Sequence, residues 1–295
     1  MRRRWAAWVL LSIVLLSLIL LFALPSGRVN KEEVWHHLET LAEYDIELST
    51  SDLRLQAEEL GDRLSWSDES TDELLEWYGI AKDIDVLLVY NTGGLGGSPM
   101  EEDEEWPTVL EAVQSELTDL GHTSDIVEFK RGGYGSGELV PTIGDVFNMF
   151  SETAPELAGR LRFLLSYCPE LRVIVTGRST GAAFCREVMR LLEPETNIYS
   201  IQAGLPVWYN SSFKDARTFT IEEDDDPLSN GNIGALIKHN LGRIPTTTPP
   251  EEGSLQILSW YLKVPGHAFN WDLMGDEGQH SLIEFLGSMV EDRNG

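Results

Sequence analysis

The segment that most limits how this chain can fold is Val173-Ile174-Val175-Thr176-Gly177-Arg178-Ser179-Thr180-Gly181-Ala182-Ala183-Phe184-Cys185. An apolar strand runs into a serine flanked by glycines, and a helix begins with no residues to spare for a loop. A turn that tight joins a buried strand to a helix lying on the sheet, which is the unit of a parallel sheet. The same alternation runs through the chain from Asp83 on. Strands are expected at 86–90, 125–129, 171–176, 198–202 and 217–221, with helices near 106–120, 142–167 and 180–192. Repeated β-α units predict an α/β domain, a mostly parallel sheet with helices on both faces.

The N-terminus obeys different rules. Arg2, Arg3 and Arg4 precede an uncharged apolar run from Trp5 to Leu24, followed by Pro25-Ser26-Gly27. As a helix the run is about 30 Å long, the thickness of a bilayer's hydrocarbon. A cleaved signal peptide has an apolar region of about 7 to 15 residues and a small-x-small cleavage site. This run is longer and Leu24-Pro25 spoils the site, so residues 1–29 read as an uncleaved signal-anchor crossing the membrane through 5–24. Secretion after cleavage is the alternative. The arginines favour an inside N-terminus and an extracytoplasmic remainder, although Arg28 and Lys31 weaken the asymmetry. Residues 30–82 carry a helical pattern, with Asn30 and Glu33 as a capping box and Ser51 and Ser70 as later caps, and read as a juxtamembrane collar before a main domain at 83–295. Its adjacent His36 and His37 point to different sides of a helix and form no metal pair.

Charge excludes a class of partners. In 295 residues there are 49 acidic against 22 basic side chains, and removing Arg2, Arg3 and Arg4 leaves 19 basic ones for the part that folds in water. Such a surface repels a phosphate backbone, so no nucleic-acid partner is expected. Two cysteines build neither a disulfide scaffold nor a zinc cluster. The glycine loop after the first strand, Asn91-Thr92-Gly93-Gly94-Leu95-Gly96-Gly97, fails as a dinucleotide fingerprint because Pro99 stands where a glycine is required, and no P-loop motif occurs. No cofactor and no metal are expected.

With Gly177-Arg178-Ser179-Thr180-Gly181 between strand and helix, the region 83–286 resembles the α/β-hydrolase superfamily. The turn at Thr92-Gly93-Gly94 is similar to its oxyanion loop, though Tyr90-Asn91 replaces the usual His-Gly, and Arg131-Gly132-Gly133-Tyr134-Gly135-Ser136 is similar to the Arg- and Gly-rich loop after the next strand. The resemblance implies Ser179 as nucleophile and backbone N–H groups of Thr180 and of Thr92 or Gly93 as oxyanion donors. A serine hydroxyl needs a base. In the family order of serine, acid, histidine, only His239, His267 and His280 lie downstream. His267, in Gly266-His267 before a terminal helix expected near 282–289, resembles the base loop. The acid should follow the strand at 217–221, within Glu222-Glu223-Asp224-Asp225-Asp226-Pro227; Asp226-Pro227-Leu228 looks most like the acid turn, with Asp225 and Asp224 as alternatives.

These expectations amount to a membrane-anchored serine hydrolase acting on a small-molecule or lipid-like acyl substrate. About fifteen residues separate the strands near 198 and 217, too few for an inserted lid. The run Glu101-Glu102-Asp103-Glu104-Glu105 lines the entrance or is a solvated loop. The rival reading is a binding or interaction module that keeps the fold without turnover, for which Arg178 beside the serine and the irregular oxyanion loop speak.

Overall fold

The computed structural model describes residues 50–64, 66–93, 99–131, 144–146, 148–207, 209, 213, 215–222, 226 and 269–291. The expected membrane run at 5–24, the start of the collar, and His239, His267, Asp224 and Asp225 lie outside the described residues.

Among the described residues five strands, β1 (Val86–Asn91), β2 (Ser124–Glu128), β3 (Arg172–Arg178), β4 (Ile198–Ala203) and β5 (Thr218–Ile221), form one parallel sheet in the order β2-β1-β3-β4-β5. The three inner strands β1, β3 and β4 are buried along nearly their whole length, and β1 and β3 accordingly carry the continuous apolar runs Val86–Val89 and Val173–Val175. Edge strand β2 is less covered, with Val127 buried and Asp125 exposed, and a charged residue on an edge discourages pairing with another chain.

Among the described residues six helices cover the sheet: α1 (Thr50–Leu64), α2 (Asp68–Ala81), α3 (Trp106–Asp119), α4 (Thr153–Tyr167), α5 (Thr180–Leu191) and α6 (Gly275–Glu291). Because side chains alternate along a strand, Leu87, Val89, Val173 and Val175 face one way and pack with α1, α2, α4 and α5 through Leu60, Leu74, Leu161 and Val188. Val86, Leu88 and Ile174 face the other way and pack with α3 and α6 through Val113 and Leu286. Each such side chain withdrawn from water contributes about 1.5–3 kcal/mol. Helices α1 and α2 bury Leu53, Ala57 and Trp77 in the same cluster as β1 and β3. Among the described residues no helix is long and apolar enough to cross a membrane.

The chain departs from its sequence pattern in three places. Ser67, rather than Ser70, caps α2, its hydroxyl accepting the Ser70 N–H at 3.1 Å. The helix expected from 142 to 167 is broken, because Met149 and Phe150 adopt φ of 55° and 59° and α4 starts only at Thr153. The reversal folds Phe150 into the core, its N–H bonded to the Asp145 carbonyl at 2.7 Å, while the Asp145 carboxylate accepts the Glu152 N–H and the Thr153 hydroxyl. The last helix begins at Gly275, earlier than Leu282, since Asp276 and Glu277 suit the positive end of a helix.

Arg160 of α4 joins α2 to this face. It is 2% exposed, donates to Glu73 at 2.9 Å and Glu156 at 2.6 Å, and its guanidinium lies 5.3 Å from the ring centroids of Trp77 and Phe129. Arg160→Ala is expected to lower stability by about 3 kcal/mol in urea unfolding, at the low end for a broken buried pair because both glutamates are partly exposed. A loss under about 1 kcal/mol would show that the cation does not hold α2.

Candidate active site

Strand order determines where a crevice can open. From β1 the chain crosses to β2 on one side and then to β3 on the other, so the connections diverge at the C-terminal ends of β1 and β3, the usual place for a ligand in an open α/β sheet. Asn91 ends β1 opposite Gly177 of β3. Ser179 follows β3 directly and heads α5, with φ 56° and ψ −123°. A residue with a Cβ avoids that backbone, at a cost of about 1–3 kcal/mol. The surroundings impose it: the Ser179 N–H donates to the Ala203 carbonyl at 2.8 Å, and its carbonyl accepts the Ala183 N–H at 3.2 Å.

The two flanking glycines have separate jobs. A Cβ on Gly177 would stand 2.6 Å from the Gly181 carbonyl carbon, and one on Gly181 would stand 2.7 Å from the Thr92 carbonyl oxygen. Helix α5 thus starts in contact with β3 behind it and with the end of β1 beside it. Gly93 continues the contact, since its Cβ would lie 3.0 Å from the Arg178 carbonyl oxygen. Ser179, Thr180, Thr92 and Gly93 are therefore gathered at one point, and the first turn of α5 directs its N–H groups out along the helix axis.

The acidic segment after β5 is split by burial. Glu222 is exposed and Asp226 is fully buried, 0% exposed. Strands β3, β4 and β5 end level, with Arg178 opposite Ala203, Ala203 opposite Ile221, and the Gly204 N–H on the Ile221 carbonyl at 3.1 Å. Phe269, two residues past His267, is buried in the cluster containing Ala203 and Ile221. His280 lies within α6, exposed, 3.3 Å from Glu284.

Sequence reasoning overlooked a polar network beneath the loop after β1. Asp103, 8% exposed, accepts the Tyr90 hydroxyl at 3.0 Å and the backbone N–H groups of Glu105 and Trp106. It also pairs with Arg178 at 3.0 Å, whose other guanidinium nitrogen meets Glu105. Part of the acidic run is thus a clamp rather than a solvated loop, and the Arg178 side chain is held by carboxylates. The signal was present in Asp103 standing three residues before the first residue of α3, where a carboxylate can close a helix end. Burial raises the Tyr90 hydroxyl well above its ordinary pKa and pushes the Cys185 thiol up to about 12, so neither ionises near neutrality.

No protein-family model matches the sequence, and no curated protein matches it. Among solved structures the chain is similar to a Trichoderma reesei cutinase in complex with a C11Y4 phosphonate inhibitor, at a TM-score of 0.41 and 15% identity over 86% of this chain and 97% of that one. A likeness that loose assigns no activity. The grounds for a functional reading are the Ser179 turn and the residues around it. Among the described residues no group of histidine, cysteine and acidic side chains is placed to hold a metal ion.

Position 181 lies within the first turn of a helix, where alanine ordinarily stabilises by about 0.5–1 kcal/mol over glycine. Here the added methyl must displace the backbone at Thr92. Gly181→Ala is expected to destabilise by about 1–3 kcal/mol instead, read from the urea midpoint; a gain in stability would contradict the close approach of α5 to β1.

Proposed function

We propose that the chain is a membrane-anchored serine hydrolase that cleaves an ester-like acyl substrate, a carboxylic ester or thioester, through Ser179, His267 and Asp226. The observation that carries this reading is the left-handed backbone of Ser179 at the switch point of the sheet. Glycine would adopt φ 56° without strain, so a merely structural turn has no use for a side chain there. A hydroxyl lifted clear of the sheet does.

In the proposed cycle His267 takes the proton of the Ser179 hydroxyl as its oxygen attacks the substrate carbonyl carbon. The negative charge that develops on the carbonyl oxygen is met by backbone N–H groups of Thr180 and of Thr92 or Gly93. The carbon–leaving-group bond then breaks, and His267 returns its proton to the departing alcohol or thiol. Water, deprotonated by His267, releases the acyl group by the reverse sequence. Strand β5 stands two strands from β3, about 10 Å at ordinary spacing. A carboxylate on the loop beyond it needs a bridging imidazole to act on Ser179. Full burial supports Asp226 over the exposed Glu222 as the group that orients His267, with Asp225 and Asp224 as the alternatives. In this reading residues 5–24 anchor the protein, with Arg2, Arg3 and Arg4 on the cytoplasmic side and the catalytic part outside.

Hydrolysis of p-nitrophenyl esters of graded chain length tests the reading. Ser179→Gly is expected to abolish turnover while leaving the urea midpoint equal or higher, the trade between activity and stability expected of a strained nucleophile. Retained turnover would refute it. The wild-type kcat/KM should fall on acidification through about 6.5, the ordinary imidazole range, because protonated His267 cannot accept a proton. A flat profile from about pH 5 to 8 would remove the histidine from the mechanism and favour the binding-module alternative.

A further inference from the structure

Arg131 lies just beyond β2 and is 5% exposed. Its Nε donates to the Asn91 side-chain oxygen at 2.7 Å and its terminal nitrogen to the Thr92 carbonyl. The guanidinium lies beside two aromatic rings that meet edge to face, 5.5 Å from the Phe150 ring centroid and 5.3 Å from that of Phe184. Both acceptors are neutral. Asp145 acts on Arg131 through space, but its own oxygens take the Glu152 N–H and the Thr153 hydroxyl. Among the described residues no carboxylate forms an ion pair with it. Burial lowers the guanidinium only to about 10, so it stays charged at neutral pH. A buried cation without a paired anion costs several kcal/mol, and the fold retains this one against the loop beside Ser179.

The geometry of a peptide bond says what it does there. The plane between Thr92 and Gly93 is trans, so its carbonyl and its N–H point in opposite directions. The carbonyl accepts a hydrogen bond from Arg131 and has Gly181 beside it. The Gly93 N–H consequently points away from Arg131, on a residue that packs against Arg178, next to Ser179. A charged donor on the carbonyl also polarises the peptide and strengthens the N–H at its other end.

Resting on the reading of Ser179 as a nucleophile, we infer that Arg131 is a positioning residue for the oxyanion site and that Gly93, rather than Thr92, supplies the donor that acts with Thr180. Arg131 touches no reacting atom. It fixes the orientation and polarity of the peptide that does, and its charge, in an ion pair with no carboxylate among the described residues, favours the oxyanion over the neutral carbonyl.

Two measurements on the purified full-length chain decide this. In the first, Arg131→Met lowers kcat for p-nitrophenyl butyrate about 30- to 300-fold, with KM and the pH midpoint of the histidine unchanged, and Arg131→Lys recovers at least about tenfold of the loss. A structural role alone would lower the active fraction and leave neither a pure kcat effect nor recovery by lysine. The second needs no variant: with ¹⁵N label, the Gly93 amide proton moves downfield when Ser179 is phosphonylated and the Thr92 amide does not. Wild-type turnover and phosphonylation with kcat of Arg131→Met within threefold, or with Thr92 shifting in place of Gly93, would overturn the role of Arg131 alone. Wild type that neither turns over nor reacts would overturn the nucleophile reading, and this inference with it.

Discussion

The contact on which the site depends is the close approach of the first turn of α5 to the end of β1, where the Gly181 Cα lies against the Thr92 carbonyl. It exists because neither Gly177 nor Gly181 carries a Cβ, and it leaves the chain one residue in which to turn from strand to helix. That residue is Ser179, and the positive φ follows from the geometry of its neighbours. The strain is local and the restraint is not: β4 holds the Ser179 N–H, β1 blocks α5 from shifting, and Gly93 closes over Arg178. A nucleophile placed this way is preorganised by the sheet rather than by a flexible loop.

The same region shows how an acidic protein uses its few cations. With 22 basic residues against 49 acidic ones, carboxylates outnumber cations more than two to one. Arg131, Arg160 and Arg172 are all buried, and Arg178 is largely so. Each ties elements together that are distant in sequence: Arg160 joins α4 to α2, Arg178 joins β3 to the segment before α3, Arg131 joins the end of β2 to the end of β1, and Arg172 joins β3 to α6 through the Val290 carbonyl. Planar guanidinium groups suit this use, since they donate in several directions while their faces lie on aromatic rings.

The parallel sheet was legible because β1 and β3 are covered on both faces, which leaves the apolar runs Val86–Val89 and Val173–Val175 that no solvent-facing strand shows. The elbow was legible because glycine spacing records a steric constraint directly. What could not be read were features that depend on where a side chain lands. The apolar periodicity through Val146, Phe150 and Ala154 suits one long helix equally well as two pieces joined by a left-handed reversal. Asp103 in an acidic run looks solvated until Tyr90 and Arg178 are brought to it by β1 and β3. The assignments of His267 and Asp226 came from a resemblance in order and loop type, and burial distinguishes Asp226 only from Glu222.

The central claim is that Ser179 is an activated nucleophile, and covalent labelling addresses it most directly. The purified protein would be incubated with a fluorophosphonate, digested, and mapped by mass spectrometry beside Ser179→Ala. The account predicts a single adduct on the peptide containing Ser179, absent from the variant and suppressed at acidic pH. Folded wild-type protein that stays unmodified across pH and salt, or an adduct on a different serine that persists in the variant, would contradict it.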